Sequence, residues 1–243
     1  MQMGRSRGKW NMLGMYAGLF FLLLCLMGAT LYAYQLRCEY TSAHEELTAV
    51  VRGSAEAEQV IRNLGGEQEA GRKLQVYMTY TDDTGELNAA CYVLRSMGKE
   101  AVPALLAGLK SSSTRKKLYA AQALKDLATD AASAAPDLLT ALTDSSKEVR
   151  VAALAALRAT RAPLPTERIV ECLRDGEPLV RASAARCLGT LGTSEARSAL
   201  LRLIADQGED IAVRQAAREA LEKIKKVQEK DKDGKQPAEA PEK

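Results

Sequence analysis

Histidine is nearly absent from this sequence, because His44, followed by Glu45 and Glu46, is the only one in 243 residues. An iron or zinc site needs several ligands at set spacings, and one His-Glu pair does not supply them. No two cysteines are spaced as C-x-x-C, which argues against structural zinc. We therefore expect no metal and no cofactor, and we interpret His44 as part of a solvated helix face.

Other signatures of catalysis are missing as well. The sequence contains no G-x-S-x-G motif, no glycine-rich phosphate loop and no cysteine-histidine arrangement of a nucleophilic enzyme. We therefore predict no catalytic residues and a protein that is not an enzyme.

Aromatic residues and an excess of one charge are also scarce. Phe, Trp and Tyr make up 5% of the chain, and 34 Lys and Arg nearly balance 31 Asp and Glu, which leaves a net charge of +3. This bulk charge suits neither a nucleic-acid-binding protein nor an acidic disordered one. We expect no nucleic-acid partner, and a nucleic-acid-binding solenoid is only the third-ranked interpretation.

Alanine, by contrast, is abundant and recurs in a fixed pattern. The skeleton V-R-x-x-A-x-x-A-L, with small variations, begins at Val149, Val180 and Val213, and weaker copies begin at Lys116 and Glu86. These starts lie 30 to 33 residues apart. A period of roughly 20 to 50 residues is typical of solenoids, in which small units stack on one another.

Each unit is predicted to be a helical hairpin. Apolar residues at positions 0, 4, 7 or 8 and 11 of the skeleton form one helical stripe, and the alanines let a neighbouring helix approach closely. A second apolar segment lies upstream, and in three units Pro103, Pro136 or Pro165 stands near its start, where proline is favoured. Gly98 and Gly192 end the second helix in two units. The turn between the helices carries an aspartate: Asp144, Asp175 or Asp206.

This pattern resembles the HEAT repeats of the phycobilisome-lyase-like type, whose motif reads roughly A-V-P-x-L-x-x-L-x-D, a turn, then V-R-x-x-A-A-x-A-L-G-x-L-G. The resemblance covers residues 67–226 and weakens toward the N-terminus, where Lys116 and Glu86 replace the first valine. It implies an all-α fold, an α-solenoid of four to five HEAT-like helical hairpins. The resemblance to bilin lyases is one of repeat type alone, so it implies no activity.

The N-terminus carries the longest uncharged stretch of the chain. Residues 1–12 are basic, and residues 13–36 contain no charged side chain. A helix from Leu13 to Tyr34 would rise roughly 30 Å, which is enough to cross the hydrocarbon of a bilayer. We predict a single transmembrane helix over residues 13–36, and a cleaved signal peptide is the alternative.

The distribution of Lys and Arg predicts a topology for this span. More basic residues precede it than follow it, which predicts a cytoplasmic N-terminus and a periplasmic or otherwise extracytoplasmic C-terminal domain. Residues 40–66 are predicted to form a juxtamembrane helix, and residues 227–243 a disordered charged tail. Gly14 and Gly18 form a G-x-x-x-G pair that would permit a homodimer.

Arg150, Arg181 and Arg214 each follow the first valine of a repeat. A structural ion pair with an acid of the same turn or of the next turn explains this spacing, and an anion-binding ladder is the alternative. Cys172 and Cys187 replace apolar residues on the two helices of one hairpin. We expect buried thiols there, and a disulfide is the alternative.

The surface that such solenoids use for binding is the concave wall of successive second helices. The predicted partner-binding residues, at positions 6 and 9 of the units, are Tyr92, Arg95, Lys125, Arg158 and Arg186. This wall is basic over its first three or four units and acidic at its C-terminal end, where position 9 is Glu222, and this polarity suits an acidic segment of a protein partner. Ordinary solvated residues on an alanine-rich helix are the alternative. We predict a membrane-anchored, non-enzymatic scaffold for a protein partner. An accessory lyase or maturation factor that holds a cofactor or a substrate protein is the alternative.

Overall fold

A computed structural model describes residues 7–53, 55–162 and 165–233, with side chains described between residues 23 and 226 of these ranges. Every regular element in these ranges is a helix. The α-helices are α1 Arg7–Val51, α2 Ala57–Asn63, α3 Glu67–Tyr80, α4 Thr84–Ser96, α5 Val102–Leu109, α6 Thr114–Leu127, α7 Ala135–Ala141, α8 Lys147–Thr160, α9 Thr166–Glu171, α10 Pro178–Leu191, α11 Ser194–Ala205 and α12 Ile211–Asp233. Short 3-10 segments are Gly98–Ala101, Ala128–Ala134 and Cys172–Arg174.

The helices from α3 onward form five consecutive pairs, which we call unit 1 (α3 and α4) to unit 5 (α11 and α12). We call α4, α6, α8, α10 and α12 the second helices. Each of α6, α8 and α10 packs against the second helix of the following unit. The predicted all-helical solenoid is therefore confirmed, and the Tyr-rich segment of α3 is helical.

The packing follows the predicted stripe. In α8, Val149, Ala153 and Leu157 at positions 0, 4 and 8 are fully buried, and the apolar residues of all units join one continuous core. Pro103 and Pro136 lie in the first turns of α5 and α7, where a missing backbone N–H removes no helical hydrogen bond. Alanine at the contact positions keeps the second helices close together.

Two second helices, α10 and α12, approach each other very closely at Gly189 of α10. A Cβ atom on this residue would lie 2.6 Å from the Cβ and 2.7 Å from the Cα of Ala220 on α12. Only glycine fits at this distance, because carbon atoms that are not bonded prefer to lie about 3.5–4.0 Å apart.

The C-terminal part of α1 covers the first unit. Ala43 and Leu47 are fully buried, and Glu39 is buried and forms an ion pair with Arg72 of α3. Residues 40–66, predicted as one helix, comprise the end of α1 and the separate short helix α2.

The predicted membrane topology is wrong. Within the described residues, no helix has both the length and the apolar character that a membrane crossing requires. The cytoplasmic N-terminus and periplasmic C-terminal domain that we inferred from this span are not supported either.

Some predicted features lie outside the described residues. These are residues 1–6, the surroundings of Gly14 and Gly18, and residues 234–243 of the predicted tail. Before that point, α12 is helical as far as Asp233.

The described cysteines are free thiols. Cys172 and Cys187 are buried and unpaired, as expected, and so is Cys91 of α4. Burial raises the pKa of the Cys172 thiol to about 11 and that of the Cys187 thiol to about 12. These thiols therefore pack as small apolar groups.

Candidate partner-binding site

Ion pairs join units 2 to 5 along the turn edge of the solenoid. Arg150 of unit 3 binds the carboxylate of Asp175 in the next turn through Nε and Nη2, both at 2.8 Å. Arg181 of unit 4 binds Glu209 in the same way, at 2.9 and 2.6 Å. Lys117 of unit 2 lies 2.6 Å from Asp144. We call this series the ladder.

The ladder also fixes the turns themselves. The Arg150 Nη1 donates to the carbonyl of Asp144 at 2.9 Å, and the Arg181 Nη1 donates to the carbonyl of Asp175 at 2.8 Å. Each aspartate in turn accepts from the backbone N–H two residues later. Arg150 and Arg181 therefore have the structural role that their spacing predicted, with an acid of the next turn as partner.

The ladder also shifts the pKa values of two of its acids, Asp144 and Asp175. Burial of Asp175 opposes ionisation, but hydrogen bonds from Arg150 and from the Glu177 amide outweigh it, so the pKa lies below its usual value. The pKa of Asp144 is lowered in the same way, against burial, by Lys117 and by the Ser146 amide. Both carboxylates are ionised at neutral pH.

The ladder stops at both ends for reasons visible in the sequence. Between units 1 and 2, the equivalent positions hold Leu87 and Ser111, which carry no charge. In unit 5 the equivalent cation is Arg214, whose buried Nε has no hydrogen-bond partner among the described residues. Among the described residues, Lys117, Arg150 and Arg181 therefore each have an acidic partner, and Arg214 has none.

The predicted binding residues of the first units are already paired with an acid. Arg95 Nη1 lies 2.9 Å from Asp126 Oδ2, and Lys125 Nζ lies 3.4 Å from Asp126 Oδ1. One carboxylate thus offsets part of the positive charge that these two residues were predicted to present. Tyr92, one turn before Arg95, is 47% exposed and available for contact.

Arg158 and Arg186 lie further along the second helices, on α8 and α10. Both are half-buried, and neither forms an ion pair among the described residues. The structure therefore divides the predicted residues into an N-terminal group that shares Asp126 and a C-terminal group with free charge.

Arg158 lines a cavity of about 730 Å³ where the C-terminal parts of α8 and α10 meet α12. Its lining residues are Leu157, Arg158, Arg161, Ala162, Gly189, Thr190, Leu191, Lys223 and Lys226. Four of these are cations and none is an acid, and within the described residues none of the four cations has a carboxylate partner. We call this the basic cavity. Its floor is apolar, since Leu157 and Ala162 are buried.

Arg161 has an unusual backbone conformation. It ends α8 in the left-handed region, with φ 50° and ψ 20°. Position 12 has a positive φ in all of units 1 to 4, at Gly98, Ala128, Arg161 and Gly192. Glycine adopts this conformation readily, whereas a residue with a Cβ is disfavoured there. Two units therefore have a residue that the turn does not favour.

Three of the cavity cations were not predicted from the sequence. Arg161 occupies position 12, and Lys223 and Lys226 occupy positions 10 and 13 of unit 5. The sequence did contain one signal for Arg161. Position 12 is glycine in units 1 and 4, whereas unit 3 has Arg161 there, three residues after the predicted binding residue Arg158.

The His44 side chain is 45% exposed, as expected for a solvated helix face, and it also packs against the first unit. Its Nδ1 lies 3.3 Å from the Tyr77 hydroxyl and 3.3 Å from a Glu86 carboxylate oxygen, and its ring stacks near Tyr40. Among the described residues, no group of three potential metal ligands occurs.

Comparison with known proteins supports the repeat type. A family model described as HEAT repeats matches residues 166–233, which are units 4 and 5. No curated protein matches the chain. The structure of the complex of CpcE and CpcF of phycocyanin lyase from Nostoc sp. PCC7120 is similar, with a TM-score of 0.52 and 23% identity over 63% of this chain and 98% of that one.

The crystal structure of an engineered protein is similar at a TM-score of 0.48 and 21% identity, over 79% of this chain and 90% of that one. At 23% identity, the likeness to the phycocyanin lyase complex concerns the fold alone. The fold established for this chain is therefore all-helical and solenoid-like, and the family match assigns HEAT repeats to residues 166–233.

Proposed function

We propose that this protein is a non-enzymatic scaffold that binds an acidic segment of a protein partner on the concave wall of its second helices. The binding residues are Tyr92, Arg95, Lys125, Arg158 and Arg186, joined by the other cations of the basic cavity. The observation that supports this proposal is that cavity, whose lining combines four cations and no acid with the buried side chains of Leu157 and Ala162. An acidic segment would supply the missing countercharge.

The charge along the wall indicates where binding is strongest. An acidic ligand would have to compete with Asp126 for Arg95 and Lys125. At Arg158 it would meet no such competitor among the described residues. Exposed ion pairs contribute only about 0–1 kcal/mol each, so several cations have to act together. We therefore expect Arg158 to contribute more to affinity than Arg95 or Lys125.

The test uses a fluorescent peptide of glutamate and aspartate that carries one leucine, measured by anisotropy at physiological salt. Wild type is compared with the triple variant Arg95→Glu, Lys125→Glu and Arg158→Glu. The matched control replaces three cations that lie outside the second helices with glutamate, so its net charge changes by the same amount. These cations are Lys99, Arg174 and Arg197. The wall variant should lose roughly tenfold or more in affinity, while the control loses little. Equal losses in the two triple variants would show that only net charge matters, and the proposed wall would be wrong.

An accessory lyase or maturation factor remains the second candidate. The observation behind it is the fold likeness to a complex of phycocyanin lyase, and such a likeness at 23% identity does not extend to activity. The absorbance spectrum of the purified protein separates the two candidates. A stoichiometric coloured or small ligand that stays bound would favour the accessory factor over the scaffold.

A further inference from the structure

We propose that Arg161 is a specificity-determining binding residue, and that the basic cavity takes a large apolar side chain flanked by carboxylates from an acidic protein segment. This inference deepens the proposed function and rests on it. It assigns three residues that the wall pattern did not contain: Arg161, Lys223 and Lys226.

The lining of the cavity specifies a ligand with two chemical parts. Leu157 and Ala162 are buried, and they line the cavity together with half-buried Leu191. This floor favours an apolar group, because burying apolar surface stabilises a complex. The four cations lie around the floor, so the polar groups next to that apolar group should be anions. A volume of about 730 Å³ falls in the usual range for ligand cavities and exceeds the need of one small ion.

A protein segment fits these features better than a nucleic acid does. Proteins that bind single strands place aromatic side chains under the bases, and no aromatic residue lines this cavity. The chain as a whole has a net charge of only +3, which gives little general attraction for a polyanion. We therefore commit to an acidic peptide, and an oligonucleotide serves as a competing probe.

The backbone of Arg161 is the second observation. Units 1 and 4 place glycine at position 12, with φ 59° at Gly98 and 69° at Gly192. Unit 3 places an arginine at φ 50°, although glycine would adopt this turn with less strain. The arginine adds a fourth cation to the cavity at a cost in stability. Such residues are found where binding needs a side chain that folding alone would not favour.

Unit 2 supplies the matched control. Ala128 occupies the same position 12, with φ 51° and ψ −119°, but it is not part of the cavity. Ala128→Gly and Arg161→Gly therefore each relieve a positive φ at position 12, although ψ differs between the two residues, and only the second removes a proposed ligand contact. Arg161→Asn is the third variant, because asparagine tolerates the left-handed region and carries no charge.

The experiment measures two quantities on the full chain: the melting temperature by circular dichroism, and the dissociation constant for the leucine-containing acidic peptide by anisotropy. Both glycine variants should melt roughly 1–4 °C higher than wild type. Arg161→Gly and Arg161→Asn should weaken peptide binding at least about threefold, whereas Ala128→Gly should leave it unchanged. A peptide with glycine in place of the leucine should bind wild type more weakly, since the apolar floor then has no partner.

The outcomes separate this inference from the proposed function. If Arg158→Glu with Lys223→Glu abolishes binding but Arg161→Gly does not change it, the cavity binds acids and Arg161 is not part of it. If the leucine has no effect, the apolar floor is not used and the ligand class is wrong. Tighter binding of a single-stranded oligonucleotide than of the peptide would also overturn the ligand class. If wild type binds neither probe, the scaffold proposal itself fails.

Discussion

Replacing Gly189 with alanine should loosen the contact between α10 and α12. The new methyl carbon would lie 2.6 Å from the Cβ, 2.7 Å from the Cα and 3.2 Å from the carbonyl oxygen of Ala220. Two of these atoms belong to the backbone, so no rotamer change can move them away. Because carbon atoms in contact prefer about 3.5 Å, the two helices would have to separate by roughly 1 Å.

The expected cost follows from two opposing effects. Overpacking of a close contact destabilises a protein by about 1–3 kcal/mol. Alanine is the better helix former, by about 1 kcal/mol, which offsets part of that cost at this position inside α10. Because the contacts at 2.6 and 2.7 Å are so short, we expect the upper part of the overpacking range, and therefore a net loss of about 1–2 kcal/mol, or a fall in melting temperature of roughly 2–8 °C for a chain of this size.

Urea unfolding followed by circular dichroism measures this loss on the full chain. The matched control is Gly176→Ala, because a Cβ there meets no atom within 4 Å and the backbone has no positive φ. Adding Ala220→Gly to Gly189→Ala should restore only part of the stability, since the contact with the Cα atom at 2.7 Å remains. A Gly189→Ala variant as stable as wild type would show that α10 and α12 do not pack at this distance.

Two further predictions concern the ladder. The pKa values of Asp144 and Asp175 lie below the usual range, so the stability that these two carboxylates contribute is full above the unfolded pKa of about 3.9 and is lost as the pH falls through the folded value. Asp175→Asn should therefore flatten the acid side of the stability profile in urea titrations at successive pH values. Arg214→Met should change the free energy of unfolding by about 0.5 kcal/mol or less, or raise it, because the buried Nε has no partner among the described residues. Arg181→Met should instead cost about 2–4 kcal/mol, since it leaves Glu209 and two turn carbonyls without their donor; equal effects of the two methionine variants in the same urea assay would contradict this distinction.

The repeat architecture was predictable because it depends on spacing alone. Alanine and valine at fixed intervals define a helical stripe, and a constant interval between stripes defines a stack. Even the weak copy at Lys116 keeps the register, because its side chain is buried at position 0 and its Nζ donates to the Thr79 carbonyl at 2.6 Å. A pattern of residue types cannot show that a lysine will find such an acceptor.

The candidate site was only partly predictable, for geometric reasons. Position 9 identified Arg158, but the neutralising contact of Arg95 with Asp126 crosses between two units and depends on rotamers. The basic cavity joins residues from positions 8 to 13 of three different helices, so no single repeat position reveals it. The positive φ of Arg161 is a property of the turn, and an arginine in the sequence gives no sign of it. The transmembrane helix over residues 13–36 was inferred from the absence of charged residues. That absence alone does not establish that lipid surrounds the helix.

The ladder makes the units of this solenoid non-interchangeable. Each junction between units has a different residue pair. The pair is a lysine and an aspartate between units 2 and 3, an arginine and an aspartate between units 3 and 4, and an arginine and the longer glutamate between units 4 and 5. Between units 1 and 2 the equivalent residues, Leu87 and Ser111, are uncharged. If unit 2 were transplanted to follow unit 3 or unit 4, the arginine of that unit would face Ser111 and have no carboxylate to bind. The ion-pair partners at the junctions thus specify the order of the hairpins. A variant in which a unit is moved, deleted or duplicated must also keep the matching residue on the neighbouring unit.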